Sequence, residues 1–147
     1  MKEIKGNIWE YYEKGFWIVI PTNGFVKKNG EAVMGRGLAL QAQYKFLELP
    51  KEIGDMLKDC DNHVFSFSEY RLLTFPVKDA WWKPATLELV EQSCKELKKI
   101  VHYNLGKIQV PVYLPRVGCG NGKLNWKDVK PILERFLDER FVVCDFR

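Results

Sequence analysis

Histidine is scarce in this chain, with two among 147 residues, and the four cysteines, Cys60, Cys94, Cys119 and Cys144, stand far apart. Zinc sites and disulfide frameworks need close, repeated Cys or His spacings, so reduced thiols are expected, with no metal and no cofactor. No apolar stretch approaches the ~20 residues of a membrane span. The opening MKEIKGNIW lacks the apolar centre of a signal peptide. A cytoplasmic protein with no membrane association is the expectation. Linkers, repeats and low-complexity segments are also missing. So is any long basic block: the net charge of +4 comes from scattered lysines such as Lys27, Lys28, Lys98, Lys99, Lys123, Lys127 and Lys130. That balance suits a polyanionic ligand and tolerates nucleic acid without demanding it; it equally fits solvated helix faces.

What is present describes one compact domain over residues 1–147. Hydrophobic residues make up 46% and charged residues 29%, which excludes disorder. A chain of this length buries about two-thirds of its unfolded surface. Strands are expected near Lys2 to Lys5, Phe16 to Ile20, Val64 to Phe67, Arg71 to Val77, Ile108 to Leu114 and Phe141 to Cys144. Helices are expected near Ile8 to Lys14, Arg36 to Phe46, Lys51 to Cys60, Ala85 to His102 and Trp126 to Leu137. The longest carries Leu87, Val90, Cys94, Leu97 and Val101 on one face. Pro131 leaves the start of the last one open, because proline prefers a first turn. Strand–helix alternation implies an α/β sheet covered on both faces, with ligands beyond the carboxyl ends of its strands.

Glycine is concentrated where chemistry would need it. Gly118, Gly120 and Gly122 alternate after the apolar run Ile108 to Leu114, within PRVGCGNGKLNW. Glycine permits positive φ and close approach of a ligand, and successive free N–H groups suit a phosphate or diphosphate. A Walker A loop is excluded: Val117 stands where its first glycine belongs, and Leu124 replaces the magnesium-binding hydroxyl. A dinucleotide fingerprint fails for want of a third glycine at the right spacing. The loop alone is either a phosphate cradle or an ordinary turn. A second cluster, Met34-Gly35-Arg36-Gly37, follows the strand-type Trp17 to Ile20 and the turn Pro21 to Gly24, and opens the helical LALQAQYKF. Its glycines would leave N–H groups free at the positive end of a helix dipole. Two such loops suggest one ligand with two phosphates, or with a phosphate and a ribose.

Five segments together resemble the macrodomain family: Gly6-Asn7-Ile8-Trp9, Ile18 to Asn23, Met34 to Gly37, Phe75-Pro76-Val77-Lys78 and Val117 to Gly122, in family order. The details are most similar to the branch containing the DNA ADP-ribosyl glycohydrolase antitoxins, with glycine-arginine in the first loop, an FPTK-like segment, and GCGNG followed by Leu-x-Trp. The resemblance implies a three-layer α/β/α fold around a central mixed sheet. It also implies a partner that is ADP-ribose or an ADP-ribosylated macromolecule, DNA included. The activity implied is hydrolysis of the glycosidic bond to that macromolecule. A non-catalytic reader of ADP-ribose and a phosphatase acting on ADP-ribose 1''-phosphate are the alternatives.

The resemblance implies a role for each matched residue. Lys78 matches the lysine that acts on the anomeric carbon in hydrolytic relatives; a desolvated lysine could attack that carbon or stabilise departing charge. Val77 replaces the usual threonine. Asn23 matches an asparagine that bonds the distal part of ADP-ribose near the scissile bond; from the residues alone it is a turn asparagine. Asn7 stands where many macrodomains place an adenine-binding aspartate, and it also fits a helix N-cap. With Ile8 it would hold the adenosine end. Gly35, Arg36 and Gly37, and Val117, Gly118, Cys119, Gly120, Asn121 and Gly122, would cradle the diphosphate and ribose. Cys119 is expected as loop filler rather than a nucleophile. Two carboxylate mechanisms of other branches do not carry over, because their aspartates align with Gly122 and Ala39. Of Trp81 and Trp82, one is expected to stack on a base, or both to clamp the start of the long helix.

Overall fold

The computed structural model describes all residues, 1–147. Six strands, β1 (Lys2–Lys5), β2 (Ile18–Asn23), β3 (Ser66–Phe67), β4 (Leu72–Lys78), β5 (Val112–Leu114) and β6 (Phe141–Asp145), form one sheet in the order β1-β6-β5-β2-β4-β3. Every neighbouring pair is parallel except the antiparallel β3–β4, so the sheet is mixed. The helices are α1 (Ile8–Glu13), α2 (Gly37–Lys45), α3 (Leu49–Cys60), α4 (Leu87–Tyr103) and α5 (Trp126–Phe136).

Strand side chains alternate between faces, and the alternation divides the core. Val19, Leu73, Phe75, Val77, Val112, Leu114, Phe141 and Val143 point to α4 and α5, whose Val90, Cys94, Leu97, Val101, Val129 and Leu133 are buried against them. Ile18, Ile20, Leu72, Tyr113, Val142 and Cys144 point the other way, onto Ile8 and Trp9 of α1, Ala39 and Ala42 of α2, and Leu49, Ile53 and Leu57 of α3. Helices thus cover both faces, giving three layers, α/β/α.

Two expectations need correcting. The run Ile108 to Leu114 is not one strand. Ile108 donates its N–H to Asn104 at the end of α4, and Pro111, with no N–H to give a ladder, leaves only Val112–Leu114 paired. The strand expected to stop at Ile20 runs on through Pro21 to Asn23. β5 pairs with β2 only at Ile18↔Tyr113, so beyond that point proline's missing donor removes no ladder bond on that side. The last helix starts at Trp126, as expected, with Pro131 in its interior; Asn125 caps it, its Oδ1 accepting from the Lys127 N–H at 3.1 Å. Its buried Val129 and Leu133 hold it to the sheet.

Candidate functional site at the carboxyl ends of the strands

Because β1, β6, β5, β2 and β4 run parallel, their carboxyl ends share one edge of the molecule. Both glycine loops lie on it. Asn23 closes β2 and Lys78 closes β4, and the two are register partners. The register slips between Thr22 and Asn23, passing over Val77, a bulge that re-aims the ends of both strands. The Asn23 side chain pins the loop that follows: its Nδ2 donates to the Val33 carbonyl at 3.2 Å and its Oδ1 accepts from the Phe25 N–H at 3.0 Å.

Lys78 is half-buried and has no carboxylate partner. Burial lowers its pKa below the usual lysine value, and the positive charges of Arg36 and Lys123 lower it further. Three unpaired cations from three elements therefore face one region: Lys78 from β4, Arg36 from the first glycine loop and Lys123 from the second. Unpaired clustered cations are costly and call for an anion.

The two loops supply the matching donors. In the first, the N–H groups of Gly35 and Arg36 have no acceptor within the protein, and those of Gly37 and Leu38 open α2 with no side-chain cap. In the second, Val117, Gly118, Gly120, Asn121 and Gly122 likewise keep their N–H groups free, while Cys119 donates to Arg116, Lys123 to Gly120 and Leu124 to Gly118. Rows of free N–H groups at a helix N-terminus and in a glycine turn form an anion cradle. Cys119 sits half-buried in this loop. Its thiol leans on the Val117 carbonyl, and burial pushes its pKa up against the opposing charges of Arg116 and Arg147.

At the other end of the edge, Asn7 caps α1, its Oδ1 accepting from the Trp9 N–H at 3.0 Å, and Ile8 is buried beside it. The cap reading of Asn7 is what the geometry supplies. Asn7 itself is exposed.

Several residues at this edge escaped sequence reasoning. Asn62, between α3 and β3, donates Nδ2 to the Lys78 carbonyl at 3.1 Å, while its buried Oδ1 has no partner. It lies in a polar stretch, Asp61-Asn62-His63, that reads as any turn. Arg116, at the base of the second loop, sits 3.5 Å from Asp145 and 5.0 Å over the Trp126 ring. Burial pushes the Asp145 carboxyl up, but the Arg147 N–H and the Arg116 and Arg147 charges outweigh it and hold the group below its usual range. Trp126, the tryptophan of Leu-x-Trp, thus anchors the loop through Arg116. The two exposed tryptophans do not clamp α4. Trp81 and Trp82 occupy the middle of a turn closed by the Lys83 N–H on the Ala80 carbonyl, where neither can be buried.

No family profile matches the chain. It is 28% identical to a DNA ADP-ribosyl glycohydrolase of Thermus aquaticus over 86% of its length, and spans 37% of that relative. Its fold superposes on the macrodomain of Thermus aquaticus DarG with a TM-score of 0.77 at 24% identity, covering 99% of this chain and 97% of that one. Thermosipho africanus DarTG, solved in complex with ADP-ribose, gives a TM-score of 0.77 at 20% identity, over all of this chain and 42% of that one.

Proposed function

We propose, from the premise that this chain is a macrodomain, that it binds ADP-ribose between its two glycine loops and hydrolyses the bond joining ADP-ribose to a nucleic acid. The observation that carries the reading is the meeting of Lys78 and Asn23 at paired strand ends, with Arg36 and Lys123 close enough to weaken the Lys78 proton. The diphosphate would lie across the free N–H groups of Gly35 to Gly37 and Val117 to Gly122, with the adenosine end towards Asn7 and Ile8. The proximal ribose would then face Lys78.

Hydrolysis breaks the bond from the anomeric carbon to the base, adds the oxygen of water to that carbon, and delivers a proton to the leaving base. A lysine with a lowered pKa has a larger neutral fraction; its nitrogen lone pair would form a bond to that carbon as the bond to the base breaks and the base takes up a proton. Water would then add to the carbon, break the carbon–nitrogen bond and release the lysine. Asn23, held by Val33 and Phe25, fixes the loop against which the ribose would rest. DNA is the favoured macromolecule because the sequence relatives are named for that substrate.

The test is release of free ADP-ribose from an ADP-ribosylated single-stranded oligodeoxynucleotide, read by chromatography. Wild-type protein should release it. Lys78→Ala should lose at least ~100-fold in rate, the scale of a removed catalytic group, while its affinity for ADP-ribose by calorimetry stays intact. Binding without release by the wild type would leave a reader of ADP-ribose. Release of phosphate from ADP-ribose 1''-phosphate alone would make it a phosphatase.

A further inference from the structure

The turn that follows Lys78 carries the strangest surface on the molecule. Trp81 and Trp82 are 54% and 57% exposed, large rings left in water at adjacent positions. They lie edge to face, centroids 5.5 Å apart at 87°, and Phe25 meets Trp82 at 5.1 Å and 73°. The turn is not loose. Ala80 and Ala85 on either side of it are buried, Gly24 donates its N–H to the Asp79 carbonyl, and Thr86 donates to Val77. The rings are therefore presented on a fixed support, at the joined ends of β2 and β4.

The surroundings select among occupants. Lys27 and Lys28 follow Phe25 in the chain and Lys83 follows Trp82, all exposed, and of these only Lys27 has a carboxylate, Glu31 at 3.7 Å. Asp79 is the carboxylate in the turn itself. No large aliphatic side chain is exposed among residues 23–31 or 78–86, so the exposed apolar surface there is aromatic. Aromatic rings with flanking cations are the chemistry of single-strand nucleic-acid recognition: rings take base faces and lysines take phosphates. Two ring planes near a right angle offer faces to separate, unpaired bases, which a duplex keeps stacked. Trp81 is three residues from Lys78, at most about 10 Å of chain, within reach of a nucleotide next to the modified one.

We propose that Trp81, Trp82 and Phe25 form a stacking platform for the unpaired bases beside a nucleotide whose ADP-ribose lies at Lys78. This rests on the reading of Lys78 given above.

The experiment is fluorescence anisotropy with a fluorescein-labelled, unmodified single-stranded oligodeoxynucleotide and with the duplex of the same sequence, alongside calorimetry with ADP-ribose. Wild-type protein should bind the single strand more tightly than the duplex, with affinity falling as salt rises. Trp81→Ala and Trp82→Ala should each weaken it by roughly tenfold or more. Trp81→Phe should keep most of it, and every variant should bind ADP-ribose as wild type does. If Trp82→Ala, which also loses the Phe25 contact, fails to fold, Trp81→Ala carries the test. Absence of oligonucleotide binding at low salt, equal affinity in the alanine variants, or equal affinity for the duplex would overturn the platform. Single-strand binding that depends on the tryptophans, in a protein that gives no heat with ADP-ribose, would instead overturn the reading of the glycine loops and leave the platform standing.

Discussion

The two glycine loops face the same region and are built for different reasons. In the second, a methyl group at Gly122 would lie 2.6 Å from the Gly118 carbonyl oxygen and 2.8 Å from the Ala85 methyl, and one at Gly118, where φ is +75°, would lie 2.9 Å from Leu124. These glycines are packing elements, wedged between the loop and the start of α4. In the first, a methyl group at Gly35 or Gly37 would meet nothing within 4 Å. Gly37 answers to its backbone, with φ +57°. Gly35 answers to neither backbone nor neighbours, and Gly120 of the second loop is open in the same way. Gly118 and Gly122 are shaped by the interior, while Gly35 and Gly120 leave room for a ligand.

Substitutions should split along that line. Gly122→Ala has the largest expected effect. Overlap with a backbone oxygen cannot be relieved by a rotamer change, so a loss of about 2–3 kcal/mol follows, seen as a fall of roughly 5–10 °C in Tm by thermal denaturation. The same clash denies this chain a side-chain carboxylate at position 122. Gly35→Ala should leave Tm unchanged and weaken ADP-ribose binding by about tenfold in calorimetry, ~1.4 kcal/mol. A drop in Tm there, or unchanged affinity, would erase the contrast between the loops.

Smaller effects reach the loops' charged residues. If Lys78 works as a neutral amine, hydrolysis rises with pH through its lowered pKa; if it works as a cation, activity falls over the same range. Removing a neighbouring positive charge lets the lysine hold its proton to higher pH. Arg36→Gln and Lys123→Gln should therefore each move the Lys78 limb of the pH–rate profile upward, Arg36→Gln more, because its charge acts more strongly on Lys78 than that of Lys123. An unmoved profile in both variants would separate the two loops from the chemistry.

Much of the fold was legible because the core is written by period. Alternating Ile18, Val19 and Ile20 and the face of Leu87 to Val101 mark strand and helix without outside help. The misjudged ends of β2 and β5 lie at prolines. Pro21 and Pro111 mean different things according to whether a neighbouring strand continues, and no local pattern carries that information. The site was legible as loops and as Lys78 but not as an assembly. Lys123 reads as one more scattered lysine until folding brings it and Arg36 near Lys78. Asn62 acquires its place only because the α3–β3 connection crosses to the end of β4. Trp81 and Trp82 read either as helix anchors or as a ring for a base, and a turn bonded from Ala80 to Lys83 leaves both exposed.

The segment leading from β2 to the first glycine loop is tied down along its length. Asn23 holds the Val33 carbonyl, the Ala32 N–H donates to Pro50 at 2.9 Å, and the backbone of α3 at Gly54 presses so closely on Gly30 that even a methyl group would overlap its carbonyl oxygen. Only the last few residues before α2 are left without such ties. The stem of the loop is therefore rigid, so a ligand bound there would have only those last residues to order, and most of the free energy of its contacts would go into affinity. Helix α3, bonded through Pro50 to Ala32 and packed at Gly54 against Gly30, lends its stiffness to that loop.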